Sequence, residues 1–230
     1  MPSTAYRPDT PISSFIPIST HVSPTVLKTT GGDFLLTWRL DGLPFVGRED
    51  WDLEHRHRTF NRMLQALRAP DFVNVAFWVH DVRRRQRFVD RSRFAQGFSQ
   101  DLADAYHRQL GAQKLMQNEL YLSLLYRPVA GGKRFMEKSH DLARLEAEQR
   151  DAVATVLELA GNVEAVLKDY TPNRLGMYQA ANGVVFSEAL ELFGYLLNRI
   201  EERVPVLAAP VYAYLPVSRQ RFSASTGDYV

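Results

Sequence analysis

The 230 residues, 45% hydrophobic and 23% charged, describe one ordinary globular domain, or a domain with an extension, large enough for a core of native density. A formal charge of +2 does not mark the whole chain as a binder of nucleic acid or of a membrane surface, and the absence of cysteine excludes disulfides, thiolate nucleophiles and cysteine metal sites. No apolar run approaches the roughly 20 residues of a membrane span, and the N-terminus lacks the apolar stretch of a secretory signal.

In chain order, residues 1–14 are rich in Pro, Ser and Thr and are expected to form a flexible arm, with order beginning at Phe15. HVSPTVLKTT and DFLLTWRLDG read as two strands of a hairpin around Gly31 and Gly32, which supply positive φ. An amphipathic helix follows, with Leu53, Phe60, Leu64 and Leu67 on one face, Asp50 as N-cap and Pro70 as stop. NVAFWVH has two apolar pleat faces, Val75, Phe77 and Val79 against Ala76 and Trp78, and therefore reads as a central strand with Trp78 buried.

A second helix is expected over 93–113, with Phe94, Phe98, Leu102, Tyr106 and Leu110 in a stripe. NELYLSLLYRP alternates as a strand ended by Pro128, and a long helix covers about 141–169. Two short strands flank Asn182-Gly183, and a last helix starts near Ser187 with Leu190, Phe193, Leu197 and Ile200 on one face. The fold class is α+β: a mixed or antiparallel sheet that starts with a hairpin and is packed by three to four amphipathic helices. The domain is bounded at 15–202; residues 203–230, broken by Pro and Ala, read as an extension toward something further.

Chemistry-bearing patterns are few. His55 and His57 point about 200° apart on a helix and cannot share a metal. His80, at the end of the apolar strand, reads as a satisfied, partly buried histidine; an enzyme using it with nearby carboxylates is the remote alternative. The Gly132-Lys133 pair fails as a phosphate loop, because Arg127 stands where the first glycine belongs and Arg134 where the Mg²⁺-binding hydroxyl belongs. No catalytic, cofactor or metal residue is assigned.

The remaining pattern is basic. Arg83, Arg84, Arg85, Arg87, Arg91 and Arg93 follow directly on the apolar strand and form the candidate interaction set. They suit an acidic protein partner, anionic headgroups or phosphates, and a solvated strand end is the bland reading. A free-standing basic nucleic-acid binder is the alternative function, weakened because aromatic stacking platforms are not interleaved with the arginines.

FIPISTHVSPTVLKTTGGDFLLTWRLDG, NVAFWVHDVRRR and NELYLSLLYRP, in this order and with the later LGMYQAANGVVFSEALELFGYLLN, resemble the N-terminal domain of the CagE/TrbE/VirB family of type IV secretion ATPases over roughly residues 15–200. The resemblance implies an adaptor that docks the motor to the inner-membrane complex for transfer of protein or DNA. It also implies other secretion subunits as partners, a homo-oligomer, and a place in the bacterial cytoplasm peripheral to the inner membrane. Direct nucleic-acid contact is not expected. ATP hydrolysis, with ATP and Mg²⁺, is expected only in a RecA-like domain beyond Val230, so this chain is not read as an enzyme.

Overall fold

The computed structural model describes residues 12–43, 47–66, 74–85, 93–94, 97–112, 116–128 and 142–216. After a 3-10 turn, Ile12–Phe15, come strands β1 (Ile18–His21), β2 (Val26–Thr29) and β3 (Phe34–Leu40), helix α1 (Asp50–Ala66), β4 (Val75–Arg85), α2 (Phe98–Ala112), β5 (Met116–Tyr126) and the long α3 (Leu142–Leu167). The chain then forms β6 (Pro172–Arg174), β7 (Met177–Gln179), β8 (Val185–Ser187), α4 (Glu188–Asn198) and the single turn α5 (Val211–Tyr214). The fold is α+β as the patterning predicts. Residues 1–11 of the expected arm lie outside the described residues, as does Leu67.

The main sheet is antiparallel, ordered β1-β2-β3-β5-β4, with β6 pairing the far half of β3. Gly32, at φ +86°, makes the β2–β3 turn. Asp33 sits in that turn and is buried, where its carboxylate accepts two hydrogen bonds from Arg127, Nε at 2.8 Å and a terminal nitrogen at 2.9 Å, tying the turn to the end of β5. β7 and β8 form a second small hairpin through Gly183.

Side chains alternate across the sheet, so it carries a core on each face. On one face Phe34, Leu36, Trp38, Leu122 and Leu124 pack with Val156, Ala160 and Val163 of α3, and Phe60 and Leu64 of α1 close the layer. The Trp38 indole donates to Glu164 Oε1 at 2.6 Å, and Arg174 of β6 pairs with the same carboxylate. Burial pushes Glu164 up, but the hydrogen bonds from Arg174 and Trp38 outweigh it and hold the carboxyl below its usual range. On the other face Leu27, Leu35, Tyr121 and Val82 pack with Leu190 and Phe193 of α4 and with Val211 and Leu215.

Three expectations change. β4 pairs with β5 alone and is the outer strand of the sheet, so NVAFWVH is not central; Trp78 is 38% exposed and Val79 65% exposed. The α2 stripe is present, but Phe98, Leu102 and Tyr106 are exposed, because an apolar period fixes a face without supplying a partner for it. Within the expected extension, Val211 and Leu215 are buried and Val206 donates to the Val185 carbonyl, so residues 204–216 pack back on the domain. Residues 217–230 lie outside the described ones.

Candidate interaction surface

β4 delivers the basic cluster to the rim of the sheet. Its register with β5 is continuous, from Val75 opposite Tyr126 to Arg85 opposite Met116, so the arginines stand at the end of a regular ladder and not in a loose connection. Successive residues point to opposite faces, which sends Arg83 and Arg84 to different surroundings.

Arg84 is held. It faces the α4 side, where its Nε lies 2.8 Å from a Glu119 carboxylate oxygen, an ion pair without the alignment of a hydrogen bond. A terminal nitrogen donates to Glu201 Oε1 at 2.8 Å, and the guanidinium sits 4.1 Å from the centre of the Tyr195 ring. Glu119 also accepts from the Tyr121 hydroxyl at 2.7 Å. Burial, and then that hydrogen bond, push the Tyr121 phenol up to about 12. Arg84 thus links β4, β5, α4 and the segment after it, alongside a cleft of about 330 Å³ lined by Arg39, Tyr121, Glu188, Glu191, Tyr195 and Glu201 among others.

Arg83 is exposed on the opposite face, and Arg93 is exposed as well. Arg85 ends the strand, while Arg87 and Arg91 lie outside the described residues. The structure therefore separates adjacent arginines that sequence reasoning grouped: one is a structural clamp, and its neighbour faces solvent. Glu119, Glu201 and Tyr195 were missed because only the fold brings them to Arg84.

The histidines take definite places. His80 is partly buried against Phe193 in an edge contact at 6.4 Å, and its Nε2 has no hydrogen-bond partner among the described residues, so it is packed but not satisfied. Burial lowers its pKa. His57 is exposed on α1 beside Phe60 and Tyr170, with which it lines a small cavity, and His55 is exposed as well. No group of three or more His, Asp or Glu side chains among the described residues could hold a metal ion. The loop with Gly131, Gly132 and Lys133 lies outside them. No helix among the described residues is long and apolar enough to cross a membrane.

Residues 25–133 match the family described as the type IV secretion system ATPase VirB4/TrbE, N-terminal domain. The chain is 33% identical over 221 residues to the type IV secretion system protein PtlC of Bordetella pertussis, covering 93% of this chain and 26% of that protein. It is 32% identical over 215 residues to the type IV secretion system protein virB4 of Brucella suis (89% and 25%) and 26% identical over 208 residues to that of Bartonella quintana (86% and 26%). The chain thus spans about a quarter of the length of the curated relatives it matches. The chain belongs to the VirB4/TrbE family of type IV secretion system ATPases and carries its N-terminal domain.

Proposed function

We propose that this domain is the assembly module of its secretion ATPase, docking the motor to other type IV secretion subunits at the cytoplasmic face of the bacterial inner membrane. The observation that carries the reading is the pair Arg83 and Arg84: one guanidinium clamps the end of β4 to Glu119, Glu201 and Tyr195, and the next is thereby presented to solvent from a fixed backbone. A charge held on a rigid element meets a partner with little loss of side-chain and backbone freedom. Relatives named as type IV secretion system proteins support the choice of partner. On this reading ATP hydrolysis, with ATP and Mg²⁺, belongs to a separate RecA-like domain of the full protein, and the domain works within a homo-oligomeric, peripherally membrane-associated assembly that carries protein or DNA.

The test is the triple variant Arg83→Ser, Arg85→Ser, Arg87→Ser, which spares Arg84. Co-purification with the other secretion subunits, and co-sedimentation with anionic vesicles, are measured at low and near-physiological salt. The expected result is an unchanged melting temperature with weakened association in at least one assay. Undiminished binding in both returns these arginines to a solvated strand end. Salt-dependent DNA binding lost in the triple variant would favour a nucleic-acid role instead.

A further inference from the structure

The two edges of the main sheet are built in opposite ways. β1 is short, its register with β2 shifts between Ile18 and Thr20, and α5 packs against it. Short strands, irregular register and covering elements are how proteins block an edge from pairing with another chain. β4 has none of these over Val75–His80: it is long, regular, free of proline and glycine, and among the described residues no backbone group pairs with its outer side. The guarding charges begin only at Asp81 and continue through Arg83 and Arg84.

The exposed apolar groups lie along this rim. Trp78 projects on the α4 side of the sheet and Val79 on the α3 side, so what is uncovered is the edge itself and not one pleat face. Ala76 is exposed and Phe77 is half-buried beside them.

We infer that the outer edge of β4 is an interface between two copies of this chain, paired antiparallel about a two-fold axis at Trp78. The order of side chains along the strand selects this partner and this register. A two-fold interface must be self-complementary. With the axis at Trp78, each Trp78 faces its copy, and each Phe77 faces the other copy's Val79, which gives two aromatic–aliphatic pairs and one aromatic pair of the kind that stabilises cross-strand contacts. The arginines of the two copies then lie at opposite ends. Parallel pairing would set Arg83 against Arg83 and Arg84 against Arg84, and a shift of the axis to His80 would place them opposite Phe77 and Ala76, taking guanidiniums away from water without a counter-charge. The inference rests on the geometry of β4 and is independent of the docking role of the arginines, which remain outside the paired stretch.

The experiment uses the whole 230-residue chain. Sedimentation equilibrium over a wide concentration range is expected to show a monomer–dimer equilibrium, weak because one strand edge lies at the small end of specific interfaces. Val79→Lys changes an exposed side chain, so circular dichroism and melting should match wild type, while two lysines flanking the axis weaken the dimer by about tenfold or more. The chain has no cysteine, so a single Trp78→Cys can cross-link only to its own copy. Directly opposite residues in an antiparallel pair have Cα atoms about 4.5–5.5 Å apart, within disulfide reach, and mild oxidation should yield a covalent dimer from Trp78→Cys but not from Phe98→Cys on α2. A chain that stays monomeric at every concentration, a dimer insensitive to Val79→Lys, or cross-linking at Phe98→Cys and not at Trp78→Cys would each overturn the inference, whatever the arginine triple variant does.

Discussion

His21 Nε2 lies 2.8 Å from Ser187 Oγ, joining the end of β1 to the N-cap of α4 across 166 positions of sequence. The same hydroxyl accepts from the Leu190 amide at 3.2 Å, and His21 Nδ1 lies 3.2 Å from the Ser23 carbonyl oxygen. A carbonyl only accepts, so Nδ1 carries a proton, and in the neutral ring Nε2 then accepts from the serine hydroxyl. Burial accordingly lowers the His21 pKa, despite the opposing Ser23 contact.

Acidification should therefore destabilise this domain in the histidine range. His21 and His80 both titrate below the ordinary 6.5 in the folded chain, so the unfolded chain binds protons first as pH falls. The stability they contribute is complete above 6.5 and is lost as pH drops through their depressed values. Denaturant melts at pH 7.5 and 5.5 should show a lower midpoint at the acid pH, and the difference should shrink in the double variant His21→Gln, His80→Gln. Equal or higher stability at pH 5.5 would contradict the neutral-ring arrangement.

The two tryptophans should respond very differently to truncation. Trp38 is fully buried between the sheet and α3, and Trp38→Ala opens a cavity and removes a donor from Glu164, a loss of about 3–5 kcal/mol. Trp78 stands on the rim at 38% exposure, and Trp78→Ala should cost about 1 kcal/mol in dilute protein. Urea unfolding of both variants compares them directly; equal losses would refute the edge placement of β4.

The misplacement of β4 shows what patterning carries. Alternation in Leu120, Leu122 and Leu124 correctly marks a strand with one face on a core, and Gly32 and Gly183 mark their turns, because these signals are local. Two apolar faces at Ala76–Val79 report the surroundings above and below a strand, but say nothing of whether a hydrogen-bonded neighbour lies on each side. Neighbours in the sheet plane are set by topology. The same holds for Arg84, which among six arginines looks like its neighbours until Glu201, 117 residues away, and Tyr195 arrive beside it.

The Asp33–Arg127 pair should be asymmetric to mutation. Asp33 is buried in its turn while Arg127 is largely exposed. Arg127→Ala strands a carboxylate away from water, whereas Asp33→Ala releases a guanidinium that water can solvate. Thermal melts should give the larger drop for Arg127→Ala, and a larger drop for Asp33→Ala would show that the turn depends on the aspartate's local bonds instead.

Adjacent arginines on β4 should separate stability from association. Arg84→Ser removes the cation from between Glu119 and Glu201 and from the face of Tyr195, leaving two carboxylates facing each other across the gap, so it should cost about 1–2 kcal/mol. Arg83→Ser removes an exposed charge with no such partners among the described residues and should leave the melting temperature within a degree or so. Replacing Glu201 together with Arg84 discriminates the cause: if the clamp is the source of the loss, Glu201→Gln should recover part of the stability that Arg84→Ser removes, because the repulsion between carboxylates goes with it. Matched melts of the two single arginine variants and the double variant settle the point. An equal loss at Arg83, or no recovery in the double variant, would mean that the end of β4 is held by its ladder with β5 alone and that Arg84 is as free to serve an interface as its neighbour.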